Sequence, residues 1–271
     1  MLIKADYHMH PNLPASDERA IKQCQKYWAA YQKYNIKNVV VTEHAYKNPK
    51  RAYYFMKKTE PPDSKCYPGV ECVTKEGIDI VLFSDQISIY SELAVRSYQL
   101  DIEQFVRLIK DKNGIYGFIP HPYAPNKISM IYNIGYQAYL KYKEIFRAVE
   151  ISNGSYDNLL RFIKFFPLKI FFRNKINIFK KTQILPLADY PKDVRFLAVG
   201  SDAHHYENVG NCYEFEAKHK NSFNNLIDNQ DGKIKHARHK RIVLNLIKVG
   251  MIINKEIRLK KKLIKSLKLN E

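Results

Sequence analysis

The chain has 271 residues, of which 45% are hydrophobic and 13% aromatic, enough to bury a core of domain size, so intrinsic disorder of the whole chain is not expected. The 10 Gly and 12 Pro show no periodic spacing, which excludes collagen-like and low-complexity proteins. The formal net charge is +18, and the 4 Cys have no C-x-x-C spacing, so a reducing compartment is favoured over a disulfide scaffold.

Nothing in the sequence predicts a signal peptide or a membrane span. Lys4 and Asp6 interrupt the N-terminus before an apolar segment could form. Uninterrupted apolar runs all fall well short of the roughly 18 residues that a spanning helix needs. We therefore expect a cytoplasmic protein, with peripheral attachment to a membrane as the alternative.

Short apolar runs alternate with amphipathic stretches along the chain. The apolar runs predict strands at 2–8, 38–42, 67–73, 78–83, 115–120, 148–152 and 195–200. Three- and four-residue spacing of apolar positions predicts helices at 16–35, 101–112 and 137–146. Strands that alternate with helices, without an internal repeat, favour an α/β fold with parallel strands.

The positive charge is concentrated in two segments. Residues 158–188 hold seven Lys or Arg and no acidic residue, and residues 233–271 hold thirteen Lys or Arg against two Glu. The remainder of the chain is balanced. We therefore predict a body at 1–232 that includes a basic, Phe-rich helical insertion at about 155–190, followed by a basic C-terminal helical extension at 233–271.

The basic segments have two interpretations each. The insertion either covers the core with an ordinary amphipathic face or binds anionic lipid, a polyanionic glycan or nucleic acid. The C-terminal extension, with Leu and Ile on one side of a predicted helix and Lys on the other, is either a solvated terminal helix or a peripheral membrane contact.

Imidazole and carboxylate side chains fall at or just past the ends of predicted strands. In an α/β barrel these ends meet on one face, so residues distant in sequence share one site, and this placement favours a barrel over an open sheet. Imidazole and carboxylate together suit zinc, manganese or iron. Seven such residues exceed the needs of one ion and predict at least two: His8, His10, His44, Glu71, His121, Asp202 and His204.

The ordered motifs Asp-x-His-x-His, Thr-Glu-His, Gly-Val-Glu, His-Pro and Ser-Asp-Ala-His, between Asp6 and His204, resemble those of the PHP (polymerase and histidinol phosphatase) superfamily. The resemblance covers about three-quarters of the chain. It implies a distorted (β/α)7 TIM-like barrel, two or three divalent ions (Zn, Mn or Fe) and metal-dependent phosphoesterase chemistry.

The resemblance also assigns roles to single residues. It implies that His8 and His10 bind one ion, that His44 binds another and that Glu71 bridges two. His121 is a further ligand, and Asp202 and His204 complete the set; we take Glu71, Asp202 and His204 as the catalytic group.

The sequence departs from the family pattern at two positions. Where many relatives have a His after the bridging Glu, the nearest equivalent here is Asp79, which is either a ligand or an ordinary strand residue. Asp17 is either a further ligand or a helix cap, so a third ion stays open.

Further residues are expected around the ligands. Asp6, Glu150 and Asn153 are predicted to orient imidazoles or hold water. Arg51 and Arg96 are candidate cations for a substrate phosphate.

The predicted activity is hydrolysis of a phosphomonoester of a small metabolite. One alternative is a phosphodiesterase or exonuclease that acts on oligonucleotides, which the basic segments favour. The other is a peripheral membrane or glycan-assembly protein that retains the metal site.

Overall fold

The structure is a computed structural model, which describes residues 1–124, 129–163, 195–236, 258–259, 261–262 and 264–267. Its strands are β1 (Leu2–Asp6), β2 (Asn38–Val41), β3 (Lys65–Val73), β4 (Asp79–Ser84), β5 (Ile115–Phe118), β6 (Ala148–Asn153), β7 (Phe196–Gly200), β8 (Cys212–Glu216) and β9 (Gly232–Lys235). Its helices are α1 (Asp17–Lys33), α2 (Pro49–Lys58), α3 (Ile102–Asp111), α4 (Met130–Ile134), α5 (Tyr136–Phe146), α6 (Gly154–Ile163) and α7 (Ser222–Ile227). Short 3-10 helices occupy Ile87–Ser91, Leu93–Val95 and Tyr206–Asn208.

The strands form a seven-stranded sheet in the order β5-β4-β3-β2-β1-β8-β9 and a two-stranded parallel sheet of β6 and β7. Only β1–β2 and β2–β3 are parallel within the large sheet. The mixed α/β class is confirmed, but the expectation of parallel strands throughout is wrong. The connection from β3 to β4 is a tight turn at Gly77 (φ +85°), and a turn of that length joins only antiparallel neighbours.

Backbone hydrogen bonds connect the small sheet to two strands of the large one, the edge strand β5 and the inner strand β1. The Ile119 N–H donates to Ala148 O (3.5 Å) and the Glu150 N–H donates to Ile119 O (3.0 Å), which joins the end of β5 to β6. The Tyr7 N–H donates to Val199 O (3.1 Å), which joins the end of β1 to β7. The large sheet therefore curls, and the ends of β1, β2, β3, β5 and β7 approach one another.

Aromatic side chains fill the space inside the curled sheet. The ring of Phe83 lies 6.2 Å from that of Tyr7, 6.3 Å from that of Phe118 and 5.5 Å from that of Phe196, all edge to face. Such contacts add about 0.5–1.5 kcal/mol each beyond the area that they bury. The Tyr7 hydroxyl, which is fully buried, donates to Leu226 O (2.9 Å) on α7. The interior is thus packed with aromatic rings below the strand ends.

A second apolar cluster lies between the large sheet and helices α1 and α2. Helix α1 buries Cys24, Trp28 and Tyr31, three of the positions whose spacing predicts it. The Trp28 indole N–H donates to Met56 O (2.9 Å) and so ties α1 to α2. Helix α2 lies in a segment for which the sequence predicted neither a strand nor a helix. It begins there because Asn48 caps it by accepting from the Arg51 N–H (2.9 Å) and Pro49 follows.

Most of the predicted basic insertion and C-terminal extension lies outside the described residues. Their covering, membrane, glycan and nucleic-acid interpretations stay predictions. Of the described residues of the extension, 258–259, 261–262 and 264–267 are helical. Residues 233–235 instead belong to strand β9, which pairs with β8 in the large sheet, so the expectation of a helical extension from residue 233 is wrong at its start. Among the described residues, no helix combines the length and apolar character needed to cross a membrane.

Candidate metal centre

The strand ends hold the predicted ligands at one place. His8 and His10 follow β1, and His44 follows β2 and pairs in parallel register with Glu71 on β3. Thr42 fixes these three segments together, since its hydroxyl oxygen accepts from the Met9 N–H (2.9 Å) and its carbonyl accepts from the Glu71 N–H (3.2 Å). The loop after β7 joins them through a parallel bridge between Met9 and Ala203.

Glu71 lies at the centre of the cluster. Its Oε2 is 2.5 Å from His44 Nδ1, whereas its Oε1 is 3.2 Å from His121 Nε2 and 3.4 Å from His8 Nε2. Burial alone would raise the pKa of this carboxyl, but His44, His121 and His8 hold it well below its usual range. The two oxygens of one ionised carboxylate thus face two different groups of imidazoles, an arrangement suited to a ligand shared by two ions.

His8 and His10 point at a common position. Their Nε2 atoms are 3.0 Å apart, and Asp202 Oδ1 lies 3.2 Å from His10 Nε2 and 3.9 Å from His8 Nε2. Glu150 Oε1 is 3.1 Å from His8 Nδ1, which favours the proton on that nitrogen and leaves the Nε2 lone pair facing the cluster. This tautomer is the one that binds a metal through Nε2.

The ligand atoms fall into three overlapping groups, and within each group they lie within 4.8 Å of one another. All members are buried. The donor set of imidazole nitrogens and carboxylate oxygens, brought this close without lysine or arginine among them, fits two or three divalent ions. The groups are His8, His10 and Glu71; His10, His44 and His204; and Glu71, Asp79 and His121.

Asp79 enters the cluster from the start of β4. In the antiparallel ladder Asp79 pairs with Val73, and Val81 pairs with Glu71. Asp79 is therefore two residues from the position opposite Glu71. Its side chain is buried. It forms one of the buried groups together with Glu71 and His121, and its role as a ligand stays a prediction.

Two of the predicted ligands have a strained backbone. His121 has φ +30° and Asp202 has φ +46°, in the left-handed region that favours Gly. Such a conformation costs about 1–3 kcal/mol per residue and persists where the surroundings impose it. At Asp202 they do so, because its N–H donates to His8 O (2.7 Å) and its carbonyl accepts from the Ser155 hydroxyl (2.7 Å). Strain at ligand positions was not visible in the sequence.

Glu150 and Asn153 support the ligands from β6. Glu150 Oε1 contacts the ring of His8, and Glu150 Oε2 accepts from the backbone N–H of His121 (2.7 Å) and from the side-chain amide of Asn153 (3.0 Å). One carboxylate therefore positions two of the predicted ligands, as expected of a residue that orients imidazoles.

Asp6 acts on the backbone rather than on an imidazole ring. Its Oδ1 accepts from the N–H groups of His8 (3.1 Å) and Ser201 (2.9 Å), and its Oδ2 accepts from the hydroxyls of Tyr31 (3.0 Å) and Ser201 (2.5 Å). Burial raises the pKa of Asp6 to about 7 against these hydrogen bonds. Asp6 thus ties the loop after β1 to the loop after β7.

Glu43 is a site residue that the sequence analysis missed. It is buried, its oxygens accept from the N–H groups of Asn12 (2.7 Å) and His44 (3.1 Å), and its Oε1 lies 3.8 Å from His10 Nδ1. Burial would raise the pKa of Glu43, but Lys47, whose Nζ is 3.3 Å from Oε1, together with His10 and His44, holds it below its usual range. The only signal was its place between Thr42 and His44, because its partner Asn12 is distant in sequence.

In the ranges that the structure describes, neither predicted phosphate cation forms an ion pair or a hydrogen bond with a clustered ligand. Arg51 donates to Pro14 O and Ala15 O (2.9 Å each) and pairs with Asp17 Oδ1 (2.9 Å). Asp17, with 74% of its side chain exposed, thus holds a loop and contacts none of the clustered ligands among the described residues. Arg96 is exposed after the 3-10 helix Leu93–Val95 and, within the described part of the chain, forms no ion pair.

A cavity of about 380 Å³ adjoins the cluster. Of the predicted ligands only His204 lines it, together with its neighbour His205. Polar and cationic side chains line it from four places: Asn12 from the loop after β1, Gln23 from α1, Lys47 from the loop after β2, and Arg51 from the start of α2.

Comparisons with known proteins support the fold. No family model matches the chain, and no curated protein matches its sequence. The crystal structure of PsfC from Pseudomonas syringae PB-5123 is similar with a TM-score of 0.60 at 14% identity, over 94% of this chain and 98% of PsfC. The lesion-specific endonuclease PfuEndoQ from Pyrococcus furiosus is similar with a TM-score of 0.51 at 15% identity, over 86% of this chain and 58% of the endonuclease. At these identities the similarity shows a shared fold.

Proposed function

We propose that the protein is a metal-dependent phosphoesterase. The observation that carries the proposal is Glu71, whose two oxygens face different imidazole groups and so suit a bridge between two ions. Divalent ions at such a site activate water and offset the charge of a phosphoryl group. The same strand-end arrangement supports the distorted seven-stranded barrel, formed by β1 to β7, that the PHP resemblance implies.

The chain's own residues position the ligands and border the substrate space. Glu150 holds the His8 ring through Nδ1, and Asp202 Oδ1 faces both His8 and His10. His204 lies between the cluster and the cavity, which makes it the predicted ligand closest to a bound substrate. The buried surroundings exclude bulk water and strengthen these electrostatic contacts.

The substrate we propose is a phosphomonoester of a small metabolite. A cavity of about 380 Å³ is at the small end of the range for ligand pockets, which suits one sugar-sized group. Its wall combines cationic and polar side chains with apolar ones such as Leu13 and Ala52, which suits a phosphate ester that carries an organic group.

A phosphodiesterase that acts on oligonucleotides is the second candidate. Two observations favour it: the basic segments 158–188 and 233–271, and the fold shared with a lesion-specific endonuclease. Lys and Arg in such segments attract polyanions and make binding strongly dependent on salt.

Hydrolysis of an aryl phosphomonoester and the matching diester by manganese- or zinc-loaded protein tests the proposal. Removal of a ligand charge in Asp202→Asn should lower turnover at least about 100-fold, whereas the exposed Asp228→Asn should retain it. Preference for the monoester supports the metabolite substrate, and preference for the diester with a steep loss at moderate salt supports the oligonucleotide. Undiminished turnover by metal-loaded Asp202→Asn would contradict the assigned centre.

A further inference from the structure

The cavity beside the metal centre has two cations in its wall, Lys47 and Arg51, and they differ in what they bind. The Arg51 guanidinium donates to Pro14 O and Ala15 O, pairs with Asp17, and lies 4.8 Å from the centre of the Phe55 ring. Arg51 therefore holds the loop that closes one side of the cavity. Its positive charge is already engaged by Asp17, two backbone carbonyls and the Phe55 ring.

Lys47 is held by two groups that line the same cavity. Its Nζ lies 3.3 Å from Glu43 Oε1 and contacts Asn12 Oδ1, and 17% of its side chain is exposed. Glu43 and Asn12 belong to the loops that carry His44 and His10. The ammonium group therefore borders the cavity beside the ligand segments.

Glu43 does not depend on Lys47 for its hydrogen bonds. Its carboxylate also accepts from the backbone N–H groups of Asn12 and His44. Two backbone donors keep a buried carboxylate satisfied when a flexible ammonium turns elsewhere. Lys47 can therefore turn toward a ligand in the cavity while both oxygens of Glu43 keep a hydrogen bond.

We propose that Lys47 is the specificity residue of this site, which binds a non-bridging phosphoryl oxygen of a phosphomonoester whose organic part fills the cavity. The inference rests on the proposed phosphoesterase function and names the cation and the substrate class. A monoester carries more negative charge than a diester at neutral pH, so an ammonium at this position favours the monoester.

The test compares Lys47→Met, Lys47→Arg and the exposed control Lys50→Met in metal-loaded protein. Three quantities are measured: metal content, the Kd of inorganic phosphate by calorimetry, and kcat and KM for the aryl monoester and diester. We expect Lys47→Met to weaken phosphate binding and raise the monoester KM about tenfold, which corresponds to about 1.4 kcal/mol, with metal content unchanged. Lys47→Arg should recover most of the affinity, and Lys50→Met should match the wild type.

The outcomes separate this inference from the function on which it rests. If the wild type turns over the ester and Lys47→Met shows the same phosphate affinity and the same KM, the role of Lys47 is overturned and the phosphoesterase function stands. A larger defect on the diester than on the monoester would overturn the substrate class. If the wild type hydrolyses neither ester, the proposed function fails, and weakened phosphate binding by Lys47→Met would still support the anion contact.

Discussion

At the scale of single residues, the centre depends on close packing as well as on ligand chemistry. Gly200, the last residue of β7, lies against both His8 and Glu150. A Cβ at this position would be 2.3 Å from His8 Cβ and 2.5 Å from Glu150 Oε1. Only the absence of a side chain here lets the strand approach the first predicted ligand.

We therefore expect Gly200→Ala to lose bound metal. The added methyl group must displace His8 or its partner Glu150, and loss of such support typically lowers metal affinity about 10- to 100-fold. Metal content after gel filtration measures the effect. Gly232→Ala, on β9, is the matched control. Its Cβ would be similarly close to neighbouring atoms, 2.6 Å from Glu214 O and from the Tyr213 ring, but none of these is a predicted ligand. It should therefore lower stability and keep the metal. Full metal content in Gly200→Ala would refute this account.

Asp6 acts between elements, since it joins the loops after β1 and β7 and also contacts α1 through Tyr31. Its carboxyl is buried and its pKa is raised to about 7 from an ordinary value of 3.8. Between about pH 4 and pH 7 the folded state therefore retains a proton on Asp6 that the unfolded state has lost. A raised carboxyl pKa favours the folded state at low pH, and this contribution declines as pH rises from about 4 to 7.

Asp6→Asn should remove this pH dependence, because the amide keeps the Oδ1 acceptor and cannot ionise. Between pH 5 and pH 8 the wild type should lose up to a few kcal/mol of unfolding free energy relative to the variant, at about 1.4 kcal/mol per pKa unit. Urea unfolding of both proteins at the two pH values, with the same ion bound, gives the comparison. Parallel pH profiles would show that Asp6 is ionised in the folded protein throughout.

Helix α3 and strand β4 show which parts of the fold can be predicted from the sequence and which cannot. Helix α3 was predicted at 101–112 and spans Ile102–Asp111, because its signals are local: Asp101 accepts from the Gln104 N–H and the Gln104 side chain accepts from the Asp101 N–H. The direction of β4 depends instead on a turn, and the expectation of parallel strands overlooked how short the connection at Gly77 is.

The site shows the same division. Strand-end positions placed seven predicted ligands in one region, and the PHP resemblance added Asp79. The structure brings all eight together. Glu43 escaped notice because its role arises from Asn12 and Lys47, which the fold supplies. The strain at His121 and Asp202 likewise comes from tertiary hydrogen bonds, which no local pattern encodes.

At the scale of the whole molecule, bound ions should contribute to stability. The ligands come from five strand ends, so an ion that binds only the folded chain stabilises it by about 2.7 kcal/mol at a hundred times its Kd. For a chain of this size that corresponds to roughly 5–10 °C in Tm.

Calorimetric scans before and after chelation measure this difference. The Tm should fall on chelation and recover when manganese or zinc is restored. Asp202→Asn, which lacks one ligand charge, should respond less to both treatments. An identical Tm with and without chelator would show that the cluster binds no ion under those conditions.

The hydrogen bonds from Tyr7 to Val199 and from His10 to Ala203 connect the first and last ligand segments. During translation His8 and His10 are made before the other predicted ligands, and Val199 and Ala203 follow nearly two hundred residues later. At about 5–20 residues per second, a ribosome needs roughly 10–40 s for that interval. The complete set of ligands is therefore present only after that interval, and we expect metal acquisition to follow synthesis of the Asp202–His204 segment rather than guide the folding of the first strands.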